Sequence, residues 1–211
     1  MIKVLIADDH AVVRSGLKQI LAETSDIVVA GEAANGREVL QKLEQQHWDV
    51  LVLDITMPGR SGLEVLKDIK HLKPELPVLV LSMHAEEQFA TRTLKAGAAG
   101  YLNKESAPEE LVKAIRRVLA GGKYVSSTQA ERMVGELTGG DADKLPHELL
   151  SDREYEILCL IASGKTPTEM ARELSLSVKT VSTYRARILE KMNLTSNAQL
   201  THYAIKGGLV E

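Results

Sequence analysis

Three aspartates stand where short apolar runs end. Asp8 and Asp9 follow Ile2–Ala7, and Asp54 follows Val50–Leu53. If those runs are strands of one parallel sheet, their carboxyl ends share an edge and the carboxylates converge there. Converging carboxylates repel, and each resists ionisation. A divalent cation resolves the conflict, and oxygen ligands of this kind suit Mg²⁺. Two further side chains close later runs on the same edge: Ser82 after Val78–Leu81, and Lys104 after the run Gly100–Leu102. A hydroxyl and an ammonium beside a carboxylate can hold the oxygens of a phosphoryl group on it. Nucleophile, metal and charge-neutralising donors together point to phosphoryl transfer onto a carboxylate. Singly, each residue has a plainer reading, a helix-capping aspartate or a surface lysine. Their joint placement is what argues for chemistry.

The elements that would position these residues alternate between two periods. The apolar runs 2–7, 27–30, 50–53, 78–81 and 100–102 read as strands. Between them, helical spacing appears over 12–21 (Val13, Leu17, Ile20, Leu21), 38–46, 63–72, 86–96 and 109–120. The strands are continuous apolar runs and not alternating ones, as expected for a parallel sheet covered on both faces. The fold class that follows is α/β, a flavodoxin-like doubly wound five-stranded sheet over residues 1–121, with right-handed crossovers placing helices on both faces.

Gly121-Gly122 ends this pattern, and 122–147 reads as a linker, polar and mixed, with Gly139-Gly140-Asp141, Pro146 and a possible short helix over 127–137. From 148 to 211 no strand is expected, so the second domain is all-α with four helices. Ser151-Asp152-Arg153-Glu154 is a capping box opening a helix that Gly164 stops. Thr166-Pro167-Thr168-Glu169 opens a second, Ser177 caps a third over 178–192, and a fourth follows Ser196 and ends before Gly207-Gly208. Ser175-Leu176-Ser177 between the second and third is the tight connection of a helix-turn-helix. On the third helix the expected inward stripe is Val178, Val181, Ile188 and Met192. Lys179, Ser182, Thr183, Ala186 and Arg187 then share an outward face, basic and small enough to enter a major groove.

Composition bounds the alternatives. The net charge is −3, yet residues 177–192 carry Lys179, Arg185, Arg187 and Lys191 against Glu190 alone. Such a local basic face is what phosphates respond to. Aromatic residues are only 3% of the chain, which argues against base-stacking platforms for single strands. The lone Cys159 excludes an intrachain disulfide and a cysteine-based zinc cluster, sits in an apolar helical stretch as a core residue, and fits a reducing cytoplasm. The first residues lack a basic flank and a cleavage-like segment, and no run approaches a membrane span, so a cytoplasmic protein without membrane attachment is expected.

Residues 1–121 resemble the receiver domain of two-component signalling, through Asp8-Asp9, Asp54 with Met57-Pro58-Gly59 behind it, Ser82, and Tyr101 three residues before Lys104-Glu105. The resemblance implies that Asp54 is the phosphoacceptor. It also implies Mg²⁺ held by Asp9, Asp54 and the main-chain carbonyl of Thr56, with Asp8 acting mostly through water. Ser82 and Lys104 would read the phosphoryl oxygens, and Tyr101 would be an aromatic that changes rotamer. Residues 149–209 resemble the LuxR-type helix-turn-helix of the NarL/FixJ regulators, through Leu150-Ser151-Asp152-Arg153-Glu154, Gly164-Lys165, Glu169-Met170-Ala171, Leu174, Ser177, Thr180-Val181 and Ile188-Leu189. The stretch 180–185 is similar to the GacA/UvrY and BvgA type. Pro167, Ser182 and Tyr184 replace a frequent Asn, Lys and His; because Lys is missing at 182, the family's base preference is not carried over, while the fold is undisturbed. The implied DNA-contacting set is Lys179, Thr180, Ser182, Thr183, Tyr184, Arg185, Ala186 and Arg187. The implied partners are a sensor histidine kinase, double-stranded promoter DNA, RNA polymerase, and a second copy of the chain once phosphorylated. Leu200 and Ile205 on the last helix, over 198–205, add apolar area that fits either a dimer surface or packing against the first helix of the same domain. A phosphatase using Asp54 would want a second aspartate two residues on, where Thr56 stands, so the expectation is a regulator and not an enzyme, with at most slow self-dephosphorylation. A protein-only interaction module is the other alternative, separable by salt-dependent duplex binding.

Overall fold

The computed structural model describes residues 1–57, 59–83, 86–126 and 145–210, the side chains of 86–88 apart. The expected helix over 127–137, Gly139-Gly140-Asp141 and Pro58 lie outside the described residues. The chain divides into two compact units, Met1–Ala130 and Glu131–Glu211.

In the first unit, strands β1 (Ile2–Ala7), β2 (Ile27–Ala33), β3 (Val50–Asp54), β4 (Val78–Ser82) and β5 (Gly100–Asn103) alternate with helices α1 (Ala11–Ala22), α2 (Gly36–Gln45), α3 (Gly62–Leu72), α4 (Glu86–Lys95) and α5 (Ala107–Leu119). All pairings are parallel, in the order β2-β1-β3-β4-β5. That is the flavodoxin-like order expected, with the order reversing between β1 and β3, where a crevice opens outside the strand ends. Every residue of β3 and β4 is buried, as continuous apolar runs require when helices cover both faces. One face packs Val4, Ile6, Val52 and Leu81 against Leu17 and Leu21 of α1 and Leu111, Ile115 and Val118 of α5.

β2 runs three residues past its expected end at Ala30. The register with β1 slips between Val4 and Leu5, leaving Ala30 unmatched, and pairing resumes at Gly31 through Ala33. Pairing across this bulge overrides the weak strand propensity of Ala30-Gly31-Glu32. β3 and β4 each extend one residue beyond expectation, so Asp54 and Ser82 are the last residues of their strands. β5 also gains a neighbour: Tyr124 forms a parallel bridge with Gly100, its N–H donating to Ala99 O (3.0 Å) and its carbonyl accepting from Tyr101 N–H (2.9 Å). Only glycine admits this approach, since a Cβ at position 100 would stand 2.7 Å from Tyr124 O.

In the second unit a 3₁₀ turn (Pro146–Leu149) precedes α6 (Asp152–Ala162), α7 (Pro167–Glu173), α8 (Val178–Lys191) and α9 (Asn197–Lys206). Ser151, Thr166, Ser177 and Ser196 each accept a hydrogen bond from the backbone N–H three residues on, the side-chain caps read from sequence. His147 joins the turn to α9 through Tyr203 Oη at 2.8 Å. The core collects Leu158, Cys159, Met170, Leu174, Val181, Ile188, Met192 and Leu200. Two expectations are corrected. Val178 is 45% exposed and does not join the inward stripe, because as the first residue of α8 it precedes the turn that contacts α6 and α7. Leu200 is fully buried, so on α9 the exposed large apolar residue is Ile205, at 54%. Among the described residues no helix is long and apolar enough to cross a membrane.

Candidate functional site

The carboxyl ends of β1, β3, β4 and β5 bring Asp8, Asp54, Ser82 and Lys104 to one edge. Asp8, Asp54 and Ser82 are essentially inaccessible and Asp9 is half-buried. Lys104 Nζ stands 2.7 Å from Asp54 Oδ2 and 2.7 Å from Asp8 Oδ2, bridging the two buried carboxylates. Its backbone is placed by a Lys104 N–H bond to Ser82 O at 2.8 Å. Asp54 Oδ1 accepts from Thr56 N–H (2.9 Å), and Asp8 Oδ1 from His10 N–H (2.7 Å). Behind Asp54 the backbone is clamped: Gly62 N–H donates to Ile55 O (3.0 Å), and a Cβ at Gly62 would run into Ile55 Cα and the Asp54 carbonyl. α3 therefore starts hard against the acceptor loop.

Burial raises the Asp54 pKa above the usual carboxylate range; Lys104 pulls it down without reversing the shift, and the charge of Asp8 adds to the rise. Burial works against the charge on Lys104, but Asp54 and Asp8 outweigh it and hold its pKa above that of an ordinary lysine. Three carboxylates face one ammonium, an excess of negative charge that one divalent cation would balance. Asp8 Oδ2 and Asp9 Oδ1 are shut off from solvent and accept no aligned hydrogen bond, Lys104 approaching Asp8 at ion-pair distance only. Atoms of Asp8, Asp9, His10 and Asp54 lie within 4.8 Å of one another, close enough for a shared ion. These residues fit a divalent cation. Tyr101 is buried at 2% exposure, one strand position from the bridge to Tyr124.

Sequence reasoning missed two contributors. His10 is readable as the neighbour of the Asp8-Asp9 pair, its Nδ1 2.9 Å from Asp9 Oδ1. Arg14 gave no local signal. It donates from Nη1 to Asp8 O (2.7 Å) and from Nε to Glu32 Oε2 (3.1 Å), and only the β2-β1 pairing brings Glu32 there.

A second candidate site is the outward face of α8. Lys179, Ser182, Thr183, Ala186 and Arg187 are exposed; Thr180, Tyr184 and Arg185 are half-buried. Thr180 is partly engaged in the cap, its Oγ1 2.8 Å from Ser177 Oγ. Ser182 and Thr183 turn their hydroxyls back to Val178 O (2.9 Å) and Lys179 O (3.0 Å), which leaves the Thr183 methyl outward. Arg185 Nε donates to Asn197 Oδ1 at 2.6 Å and ties α8 to the start of α9. The tight turn before α8 holds Ser175 at φ 52°, and Leu176 N–H reaches back to Ala171 O (2.8 Å).

Known proteins match both halves. "Response regulator receiver domain" matches residues 4–116, and "Bacterial regulatory proteins, luxR family" matches 148–204. The chain is 38% identical to the response regulator UvrY of Escherichia coli K12 over 209 residues, covering 99% of this chain and 96% of that one. It is 38% identical to the response regulator GacA of Pseudomonas aeruginosa over 211 residues, 100% of this chain and 99% of that one. Among solved structures, RcsB of Salmonella enterica serovar Typhimurium, bound to promoter rprA with the phosphomimetic BeF3−, has a TM-score of 0.63 at 28% identity, covering 96% of this chain and 98% of that chain. On full-length likeness and on both domain matches, the chain belongs to the two-component response regulators that join a receiver domain to a LuxR-type helix-turn-helix domain.

Proposed function

We propose that Asp54 accepts a phosphoryl group from a sensor histidine kinase and that this controls binding of α8 to promoter DNA. The observation that carries the first half is the Lys104 ammonium, 2.7 Å from both Asp54 and Asp8 at the strand edge. An Asp54 carboxylate oxygen attacks phosphorus as the bond to the kinase histidine nitrogen breaks, and that nitrogen leaves with the electron pair. Thr56 N–H and Lys104 fix the carboxylate. Asp9, Asp54 and the Thr56 carbonyl would hold Mg²⁺, with Asp8 acting through water, and the bound ion would supply charge neutralisation to the transferring group. Lys104 and Ser82 then hold phosphoryl oxygens, and Tyr101 responds by changing rotamer. This is acceptance by a regulator, with slow self-dephosphorylation and no turnover of an external substrate.

For the second half, Lys179, Arg185 and Arg187 contact phosphates, while Ser182, Thr183 and Ala186 lie nearest base edges, flanked by Thr180 and Tyr184. Relatives solved with DNA, such as the RcsB–DNA complex (TM-score 0.59, 28% identity), support this reading. The receiver spans 1–121, a linker 122–147, and the DNA-binding domain 148–211. Phosphorylation favours a homodimer, RNA polymerase is the downstream partner, and the cytoplasm, where promoter DNA lies, is the location. Incubation with acetyl phosphate and Mg²⁺ should label the protein, and Asp54→Asn, which keeps shape and removes the nucleophile, should abolish the label. Equal stoichiometry in Asp54→Asn would move the acceptor elsewhere.

A further inference from the structure

Helix α1 begins on an unusual residue. Position N-cap favours Ser, Thr, Asp or Asn, whose side chains bond the first free N–H groups, and the four helices of the second unit obey that rule. α1 has His10 there, and its imidazole caps nothing. It turns instead to the acidic edge: Nδ1 lies 2.9 Å from Asp9 Oδ1 and 3.4 Å from Asp8 Oδ1. A local rule broken beside a site points to function.

The spacing has a meaning. Ligand atoms about 2.1 Å from a cation stand roughly 3.0 Å apart in an octahedron and roughly 3.4 Å apart in a tetrahedron. The imidazole nitrogen and the two carboxylate oxygens, at 2.9 and 3.4 Å, are close enough to share one cation. Lys104 occupies the Oδ2 side of Asp8 and Asp54, so the side open to a cation is the one His10 faces. On that side Asp9 Oδ1, 2.9 Å from the imidazole, is shut off from solvent with no aligned hydrogen-bond donor. A carboxylate-only set suits hard cations; adding a nitrogen moves preference toward first-row transition metals, along the series from Mn²⁺ through Co²⁺ to Ni²⁺ and Zn²⁺.

We infer that His10 is a fourth ligand-bearing side chain at this edge, making it a mixed nitrogen–oxygen site at which a transition-metal dication competes with Mg²⁺. The inference rests on the metal-assisted phosphoacceptor reading and adds a ligand and a class of ion to it. His10 sets the discrimination between ions, and Asp8, Asp9 and Asp54 supply the affinity common to them.

The test is titration of the full chain with Co²⁺ and, separately, Mg²⁺. Co²⁺ is read by its visible absorption, which reports nitrogen ligation, and both ions by calorimetry. His10→Ala, at a position whose side chain is 65% exposed, should weaken Co²⁺ binding at least about tenfold more than it weakens Mg²⁺ binding. It should also move the Co²⁺ spectrum toward oxygen-only ligation. Asp9→Asn should remove the same Co²⁺ signal. Equal losses for both ions in His10→Ala, with an unchanged Co²⁺ spectrum, would overturn the inference while leaving the phosphoacceptor reading intact. A Co²⁺ signal that survives Asp9→Asn would place it at another histidine, such as His47 beside Asp49, and would also overturn it. A wild-type protein that binds neither ion would overturn both readings together.

Discussion

Lys104 is the residue on which the acidic edge balances. Its ammonium is 9% exposed and the carboxylates it bridges are at most 1% exposed, so removing it leaves buried like charges facing each other. Breaking a buried pair from one side typically costs about 3–5 kcal/mol. Lys104→Ala should therefore lower the metal-free thermal midpoint, by an amount corresponding to roughly 3 kcal/mol. It should leave the cation ligands in place, so added Mg²⁺ should raise the midpoint more in Lys104→Ala than in wild type. Thermal scans with chelator and with Mg²⁺ measure both. An unchanged midpoint in chelator would mean that Lys104 is not the counterion the geometry indicates. The variant should also carry the phosphoryl group without transmitting it, which labelling alongside DNA binding would separate.

Two elements of the second unit carry predictions. The capping box at the start of α6 is reinforced from α8: Glu154 Oε2 accepts from Ser151 N–H (2.8 Å) and from Lys191 Nζ (2.6 Å). Burial pushes the Glu154 pKa up, but Lys191 and Ser151 outweigh it and hold the carboxyl below its ordinary 4.5. A carboxylate depressed on folding stabilises the fold above its unfolded pKa and loses that contribution as pH falls through the folded value. Amide exchange in α6 of the full chain should therefore accelerate as pH drops below about 4.5, after correction for intrinsic rates, and the pH dependence should flatten in Glu154→Gln. That variant should also lose about 1–2 kcal/mol at neutral pH, from the weakened cap and the lost ion pair. On α8 itself, Arg187→Ala should weaken all duplexes about equally and reduce the salt slope by roughly one unit. Thr183, whose hydroxyl is bonded to its own helix, presents a methyl, so Thr183→Ser should lower preference for a thymine-bearing position and leave non-specific binding unchanged. Competition assays on randomised duplexes at several salt concentrations decide both; a Thr183→Ser protein with unaltered preference would place the reading face elsewhere.

Phosphorylation has to link the receiver to the DNA-binding unit. One small helix-turn-helix makes few contacts, and two-fold pairing on a palindromic site roughly doubles them. Phosphorylation is expected to free the second domain, to promote dimers, or both. Moving a population from 1:99 to 99:1 takes about 5.5 kcal/mol of differential stabilisation, within reach of a few new contacts at the Asp54 edge and a modest interface. Ile205 is the exposed large apolar residue α9 offers to such an interface. Sedimentation of the full chain with and without beryllofluoride should show a rise in mass, and DNA affinity should rise in the same samples. Unchanged mass and affinity in a protein that demonstrably binds the mimic would reject this coupling.

Much of the molecule was legible in the residues alone. Continuous apolar strands announced a doubly covered parallel sheet, and strand-end Asp8, Asp54, Ser82 and Lys104 announced a shared edge, because in a parallel sheet residues that end strands are neighbours however far apart they lie in the chain. Caps such as Ser151 and Thr166 were legible because they act over three residues. What remained hidden depends on packing between segments. The extension of β2 to Ala33 comes from pairing with β1 across a bulge, and with it comes the Arg14–Glu32 brace behind Asp8. The exposure of Val178 and burial of Leu200 depend on where α8 and α9 meet α6, since periodicity gives the face of a helix but not where along it contact begins. The docking of Tyr124 on β5 depends on a glycine whose need is invisible until another backbone lies against it. The sequence by itself thus determined which chemistry gathers at the strand edge. Only the tertiary structure decided how its charges are shared, because the distances from Lys104 to Asp8 and Asp54, and from His10 to Asp9, are set by elements that meet only when the chain has folded.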